Sequence, residues 1–191
     1  MGRLIVVQFI TLDGVVEDPD GSGGSAFGGW AMRYGPEGVA GDKFRLGPIL
    51  EQGVLLFGRR TWEHFSTLWP PREDPFSRKM NAAVKAVVTH RELDAAAWAN
   101  SSRIPVSLPT WVRDTARERD IVVIGSGSIV GQLQASGLID EYRLLTFPIA
   151  VGAGRRLYPG GARLSLTAAE RVGPATLAIY SADDGAVVTS R

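Results

Sequence analysis

The chain has 191 residues, with 21 Lys and Arg against 20 Asp and Glu, a net charge of +1 and no cysteine. That length buries a full core without disulfides or metal, the near-neutral balance gives no drive toward nucleic acid or an anionic membrane, and the lack of Cys excludes a disulfide framework, thiolate metal ligands and a thiol nucleophile. No apolar run approaches the about 18 residues that span a bilayer, and Met1-Gly2-Arg3-Leu4 enters a strand pattern with no room for a signal peptide, so the expectation is one soluble, cytoplasmic domain over residues 1–191.

Leu4 to Ile10 is a near-continuous apolar, β-branched run, as in a strand buried on both faces. It ends in Thr11-Leu12-Asp13-Gly14 and opens a Gly-, Asp- and Pro-rich stretch from Asp13 to Gly38. Connections of that length tend to be lids or binding loops, and Phe27, Trp30 and Tyr34 imply that this one packs on something. Asp42 begins a helical pattern through Phe44, Leu46, Ile49 and Leu50, which Gly53 ends. Val54 to Phe57 is a second buried strand, followed by Gly58-Arg59-Arg60-Thr61 and a helical turn over Thr61 to Phe65. Trp69 to Pro75 reads as a surface loop, and a short helix through Met80 and Ala83 leads to a third strand, Ala86 to Thr89.

From Asp94 to Pro109 only Arg103 to Val106 has strand character. Pro109 to Arg119 reads as a helix with Trp111, Val112 and Ala116 inward, and Ile121 to Ile124 as the fourth buried strand. Ser128 is the expected cap of a helix over Ile129 to Ala135, stopped at Gly137. Then the rhythm changes. Tyr142 to Ile149 is a long strand, and Leu164 to Ala168 and Thr176 to Tyr180 alternate apolar and polar around the Gly173-Pro174 turn. The pattern is α/β: a central, mainly parallel sheet flanked by helices, with an antiparallel C-terminal hairpin.

Three strand ends carry glycine: Asp13-Gly14, Gly58 to Thr61 and Gly125-Ser126-Gly127-Ser128. A parallel sheet gathers such ends on one rim, where helix N-termini hold anionic groups. Gly58-Arg59-Arg60-Thr61 is either a structural turn with two solvated arginines or a phosphate site, with Arg59 as the planar fork. Thr89-His90-Arg91 would join Arg59 in a pocket for a 2′-phosphate if the second and third strands are neighbours, which favours NADPH over NADH; the alternative is a polar loop. Gly125 to Ser128 fits a pyrophosphate turn but lacks the G-x-G-x-x-G spacing. Asp13 is a turn cap or a substrate ligand. Asp42 is a helix cap or the carboxylate that relays a proton opposite an incoming hydride. Trp30 is the one tryptophan kept as a candidate ligand platform. The two histidines lack metal-site spacing, so no metal is expected.

The order strand, T-L-D-G, helix, L-L-F-G-R-R-T-W-E, V-V-T, V-I-G-S-G-S and G-L-I-D-E-Y-R-L-L-T-F-P-I-A-V-G-A-G resembles the dihydrofolate reductase-like superfamily. It is most similar to the branch related to the C-terminal reductase domain of bacterial bifunctional riboflavin-biosynthesis proteins, from Arg3 to about Ser181. The resemblance implies NADPH bound across the strand ends. Gly58, Arg59, Arg60 and Thr61 would hold phosphate, with Thr89, His90 and Arg91 near the 2′-phosphate. Gly125, Ser126, Gly127, Ser128 and Ile129 would hold the pyrophosphate and nicotinamide side, and Leu12, Asp13 and Gly14 would open the loop over the nicotinamide. The branch's G-x-x-T-x-x-x-D-x-P-x-L-x-x-R stretch is replaced by G-R-R-T-W-E-H-F-S-T-L-W-P, which leaves the substrate open.

The reading is an NADPH-dependent reductase of a small pterin- or pyrimidine-like heterocycle or a carbonyl compound, similar to 5-amino-6-(5-phosphoribosylamino)uracil reductase. Asp42 is its catalytic candidate, and Asp13, Trp30 and Asp42 its candidate substrate contacts. The alternatives are a non-catalytic nucleotide- or flavin-binding module on the same scaffold and a dihydrofolate reductase. A homodimer through the C-terminal antiparallel segment is the expected assembly.

Overall fold

The computed structural model describes residues 1–188, with side chains through Ala182. In chain order the elements are β1 (Leu4–Thr11), α1 (Gly35–Val39), α2 (Ile49–Gln52), β2 (Val54–Gly58), α3 (Arg59–Leu68), α4 (Pro75–Ala82), β3 (Val84–Val88), β4 (Ser101–Arg103), α5 (Leu108–Thr115), β5 (Ile121–Ile124), α6 (Gly127–Ala135), β6 (Glu141–Phe147), β7 (Gly161–Val172) and β8 (Ala175–Val188). The sheet order is β4-β3-β2-β5-β1-β6-β8-β7. None of the described helices is long and apolar enough to cross a membrane.

The chain packs as two compact units that share β1. The first comprises Met1–Val6 and Arg45–Ile139. Here β2 pairs in parallel with both β3 and β5, and β3 with β4. Strands of a parallel sheet covered on both faces read as unbroken apolar runs. Val54 to Phe57 and Ile121 to Val123 are buried at every position for that reason. Phe57 is fully enclosed, with Phe65 and Trp98 against its ring at 5.7 and 5.6 Å; burial of one such side chain contributes about 2–3 kcal/mol.

The second unit comprises Val7–Phe44 and Asp140–Arg191. β8 lies between β6 and β7, antiparallel to both, which is the C-terminal antiparallel element read from the alternating pattern. Its core is Trp30, Ala31, Leu145, Phe147, Val172, Ala175 and Leu177, with Phe9, Tyr34, Val39 and Phe44 packed against it. β7 is the edge strand and is exposed at nearly every position.

Three expectations for the helices are corrected. The pattern from Asp42 to Leu50 yields helix only at Ile49–Gln52. Gly41, Arg45 and Gly47 all adopt left-handed φ, of 75°, 54° and 51°, and a right-handed helix cannot run through such residues. Thr61 to Phe65 belongs to the ten-residue helix α3 rather than to a single turn. α6 starts at Gly127, so its cap position is Ser126 and not Ser128.

Candidate functional site

In the first unit the strand register decides the geometry. Gly58 stands opposite Val88, and Leu56 opposite Val123. The C-terminal ends of β2, β3 and β5 therefore meet on one edge. α3 starts directly after Gly58, and α6 directly after the left-handed pair Gly125 (φ 66°) and Ser126 (φ 57°). Two helix N-termini thus stand side by side, each with unpaired amides and partial positive charge.

The two turns interlock. The Gly58 N–H donates to Ser126 Oγ at 2.8 Å, and Ser126 Oγ donates to Thr61 Oγ1 at 2.8 Å. A Cβ on Gly58 would stand 3.2 Å from Ser126 Oγ and 3.3 Å from Ile129 Cγ1, so glycine permits the approach. The Ile129 side chain is buried, and its N–H donates to Ser126 O at 2.8 Å.

On the β3 side, Arg59 donates from Nη1 to Thr89 Oγ1 at 3.4 Å and from Nε to Glu63 Oε1 at 2.6 Å. The Arg91 N–H donates to Thr89 Oγ1 at 3.1 Å, closing a tight turn around exposed His90. The structure brings together Gly58, Arg59, Thr61, Thr89, Gly125 and Ser126; Arg60, His90, Arg91 and Ser128 are exposed around them. The donor set suits an anion: a guanidinium, hydroxyls and two helix starts. The Glu63 carboxylate beside it is paired with Arg59. The residues therefore fit the phosphates of a dinucleotide.

In the second unit, Asp13 ties the turn after β1 to the backbone at Val151 and Gly152. Its carboxylate accepts from Thr11 Oγ1 at 2.6 Å, Gly152 N at 2.8 Å and Val151 N at 3.3 Å. The Thr11 hydroxyl and then the Gly152 amide hold its pKa down at about 2, against a smaller opposing effect of burial. The group is a charged clamp of the turn rather than a proton donor. Leu12 is exposed, and its N–H donates to Ile149 O at 2.8 Å. Gly14 takes φ 82° in open space, so its need for glycine is conformational.

The long loop after β1 is organised by Asp18. Burial raises its carboxyl, but bonds from Gly23 N, Ser25 Oγ and Ser25 N outweigh that and leave it below the usual range. Trp30, expected as a ligand platform, is instead a core side chain. It is 0% exposed, 5.8 Å edge-on to Phe147, and its Nε1 donates to Glu17 O at 2.9 Å. Its ring is spent on packing. Asp42 is half-buried in the irregular segment well before α2, so it caps no helix.

Residues 3–178 match the family model of the RibD C-terminal domain. The chain belongs to that family. As a RibD C-terminal domain it is similar, at 25% identity over 164 residues, to the uncharacterized Bacillus subtilis (strain 168) protein YyaP, covering 82% of this chain and 80% of that one. Its fold is similar to that of a Shewanella sp. PV-4 protein named for riboflavin biosynthesis, with a TM-score of 0.71, 18% identity, and 95% and 99% of the two chains covered. It is also similar to the fold of the Thermotoga maritima diaminohydroxyphosphoribosylaminopyrimidine deaminase/5-amino-6-(5-phosphoribosylamino)uracil reductase, with a TM-score of 0.61 and 12% identity. There 95% of this chain matches 57% of the longer one. The resemblance to the riboflavin-pathway branch of dihydrofolate reductase-like proteins is borne out, and so is the fold class.

Sequence reasoning missed Glu63 as the partner of Arg59, although its i, i+4 spacing is a legible signal. It also missed the bond between Ser126 and Thr61, which spans 65 positions and exists only because β5 lies beside β2.

Proposed function

We propose that this RibD C-terminal domain is a cytoplasmic, NADPH-dependent reductase of a small heterocyclic or carbonyl substrate. One observation carries the proposal: the register of β2, β3 and β5 collects two glycine turns, two helix starts, Arg59 and Thr89 on one edge. Ligands of open α/β sheets bind outside the carboxyl ends of the strands, and family membership supports a reductase. Gly58, Arg59, Arg60 and Thr61 would hold phosphate, with Thr89, His90 and Arg91 toward the 2′-phosphate. Gly125 to Ile129 would line the pyrophosphate and nicotinamide side, with the Gly127 and Ser128 amides at the start of α6 toward the anion. Bound NADPH would supply the reducing equivalent.

For the substrate, Asp42 is proposed as the group that delivers the proton. The Asp13 carboxylate is committed to Thr11, Val151 and Gly152, so Asp13 is proposed to shape its turn, with Leu12 and Gly14 as the cofactor contacts of that segment. The proposed assembly is a homodimer.

Titration with NADPH, read by nicotinamide fluorescence, is expected to saturate below millimolar concentration. NADPH oxidation is then expected with a pterin, pyrimidine or quinonoid acceptor, and to fall at least tenfold in Asp42→Asn. Absence of saturable binding at millimolar NADPH overturns the proposal. Tight binding without turnover across the acceptor panel, unaffected in Asp42→Asn, replaces it with a non-catalytic nucleotide-binding module.

A further inference from the structure

We infer that the Ser126 side chain is a positioning group: its hydroxyl aims the Thr61 hydroxyl at an anionic oxygen of the ligand and does not hold the ligand itself. The inference rests on the cofactor-binding reading above and refines one corner of that site.

A hydroxyl carries a single hydrogen and can accept as well as donate. Ser126 Oγ accepts from the Gly58 N–H at 2.8 Å and spends its hydrogen on Thr61 Oγ1, also at 2.8 Å. No hydrogen is left on the Ser126 hydroxyl to donate to a phosphate. Thr61 Oγ1 has received a hydrogen bond, so its own hydrogen points elsewhere. The relay therefore runs one way, from the β2 backbone through Ser126 to Thr61, and each bond polarises the next. Thr61 is the third residue of the ten-residue helix α3, within the turn where the helix end favours negative charge. The last donor of the relay thus emerges beside the amides that would bind the same anion.

The backbone is shaped around this arrangement. Ser126 sits at φ 57°, a left-handed conformation that residues other than glycine, Asn and Asp seldom adopt. Glycine would relieve that conformation but carries no hydroxyl. On the other side, Gly58 has Ser126 Oγ and Cβ within 3.3 Å of where a Cβ would stand, so a side chain there would push the relay apart. Conformational ease is forgone at Ser126 and a side chain at Gly58, and the two together keep one hydroxyl in one place.

Direct contact between Ser126 and the ligand is the competing explanation, and a double-mutant cycle with NADPH as the probe separates the two. Thr61→Val is expected to weaken NADPH binding about tenfold or more, as loss of a hydrogen bond to a charged group does. Thr61→Ser keeps the donor and is expected to stay within about threefold of wild type, with unchanged melting temperature. Ser126→Ala is expected to weaken binding several-fold. The double variant Ser126→Ala/Thr61→Val is expected to bind as Thr61→Val does, because no donor remains to be aimed. Additive losses overturn the relay and make Ser126 a direct contact or a support of the turn. If Ser126→Ala does not fold, Thr61→Val binding at wild-type strength overturns it as well. Wild-type protein that binds no NADPH overturns the relay and the cofactor reading together, whereas wild-type binding with additive losses removes the relay alone.

Discussion

Asp13 and Arg59 share a logic, in that each charged group is held by one partner near in sequence, Thr11 or Glu63, and by another far along the chain, Gly152 or Thr89. Asp13, held at about 2 mainly by the Thr11 hydroxyl, has a folded pKa below its ordinary value of 3.8. Its contribution to stability is thus complete above about pH 4 and lost as pH falls through about 2. Asp13→Asn is expected to flatten the dependence of melting temperature on pH in that window and to speed hydrogen exchange at the Gly152 amide. An unchanged acid limb would mean that the clamp carries no stability. Arg59 is oriented by Glu63 toward Thr89, and a guanidinium fork is suited to a phosphate monoester. Arg59→Ala is expected to raise the Kd of NADPH about tenfold or more while changing that of NADH much less; equal losses for both would remove the 2′-phosphate from the Arg59 pocket.

At the scale of elements, Lys85 shows how β3 is tied to the end of α4. It is 0% exposed, and its ammonium donates to Asn81 O, Ala83 O and Ala99 O at 2.8, 2.7 and 3.0 Å, 4.5 Å from the Trp98 ring centre. A cation at a helix C-terminus satisfies carbonyls that the helix leaves unpaired. Lys85→Met would leave the three carbonyls without this donor, that of Ala83 in a buried bond, and is expected to cost about 3 kcal/mol in urea unfolding. Burial pushes the ammonium down to about 8, from an ordinary 10.5. The folded state releases this proton before the unfolded state does, so the Lys85 contribution should make wild-type stability rise between about pH 8 and 10.5; Lys85→Met should lack that rise.

The same scale explains what the amino-acid pattern disclosed. Ile121–Ile124 was delimited correctly because a strand buried on both faces needs an unbroken apolar run. The segment after Asp42 was misread because its apolar spacing is helical while Arg45, a non-glycine residue, turns left-handed, and no composition signals that. The glycine turns of the site were legible from their strands. Which turns touch, and which hydroxyl serves which, depended on the β2–β5 pairing.

For the whole molecule, the long β7 edge is where the proposed homodimer can be tested. Leu166 on it is 60% exposed, and the pairing with β8 shifts register between Ala162 and Leu164 and again between Leu166 and Ala168. Bulges of this kind blunt an edge against indiscriminate pairing. If the proposed homodimer uses β7 and β8, Leu166→Asp is expected to yield monomer by size-exclusion chromatography with light scattering. An unchanged dimer mass would send the interface elsewhere, and monomeric wild type would end that proposal.

The division of the chain also sets an order of events during synthesis. Because Arg45–Ile139 interrupts the second unit, a nascent chain reaching Ile139 has all the residues of the first unit, while Val7–Phe44 still waits for its partners. Phe9, Trp30 and Phe44 gain Leu145, Phe147 and Leu177 only when translation has run well past Asp140. Ribosome stalling or a premature stop before that point would leave those rings unsheltered, and it is there that chaperone capture or degradation of unfinished product should concentrate.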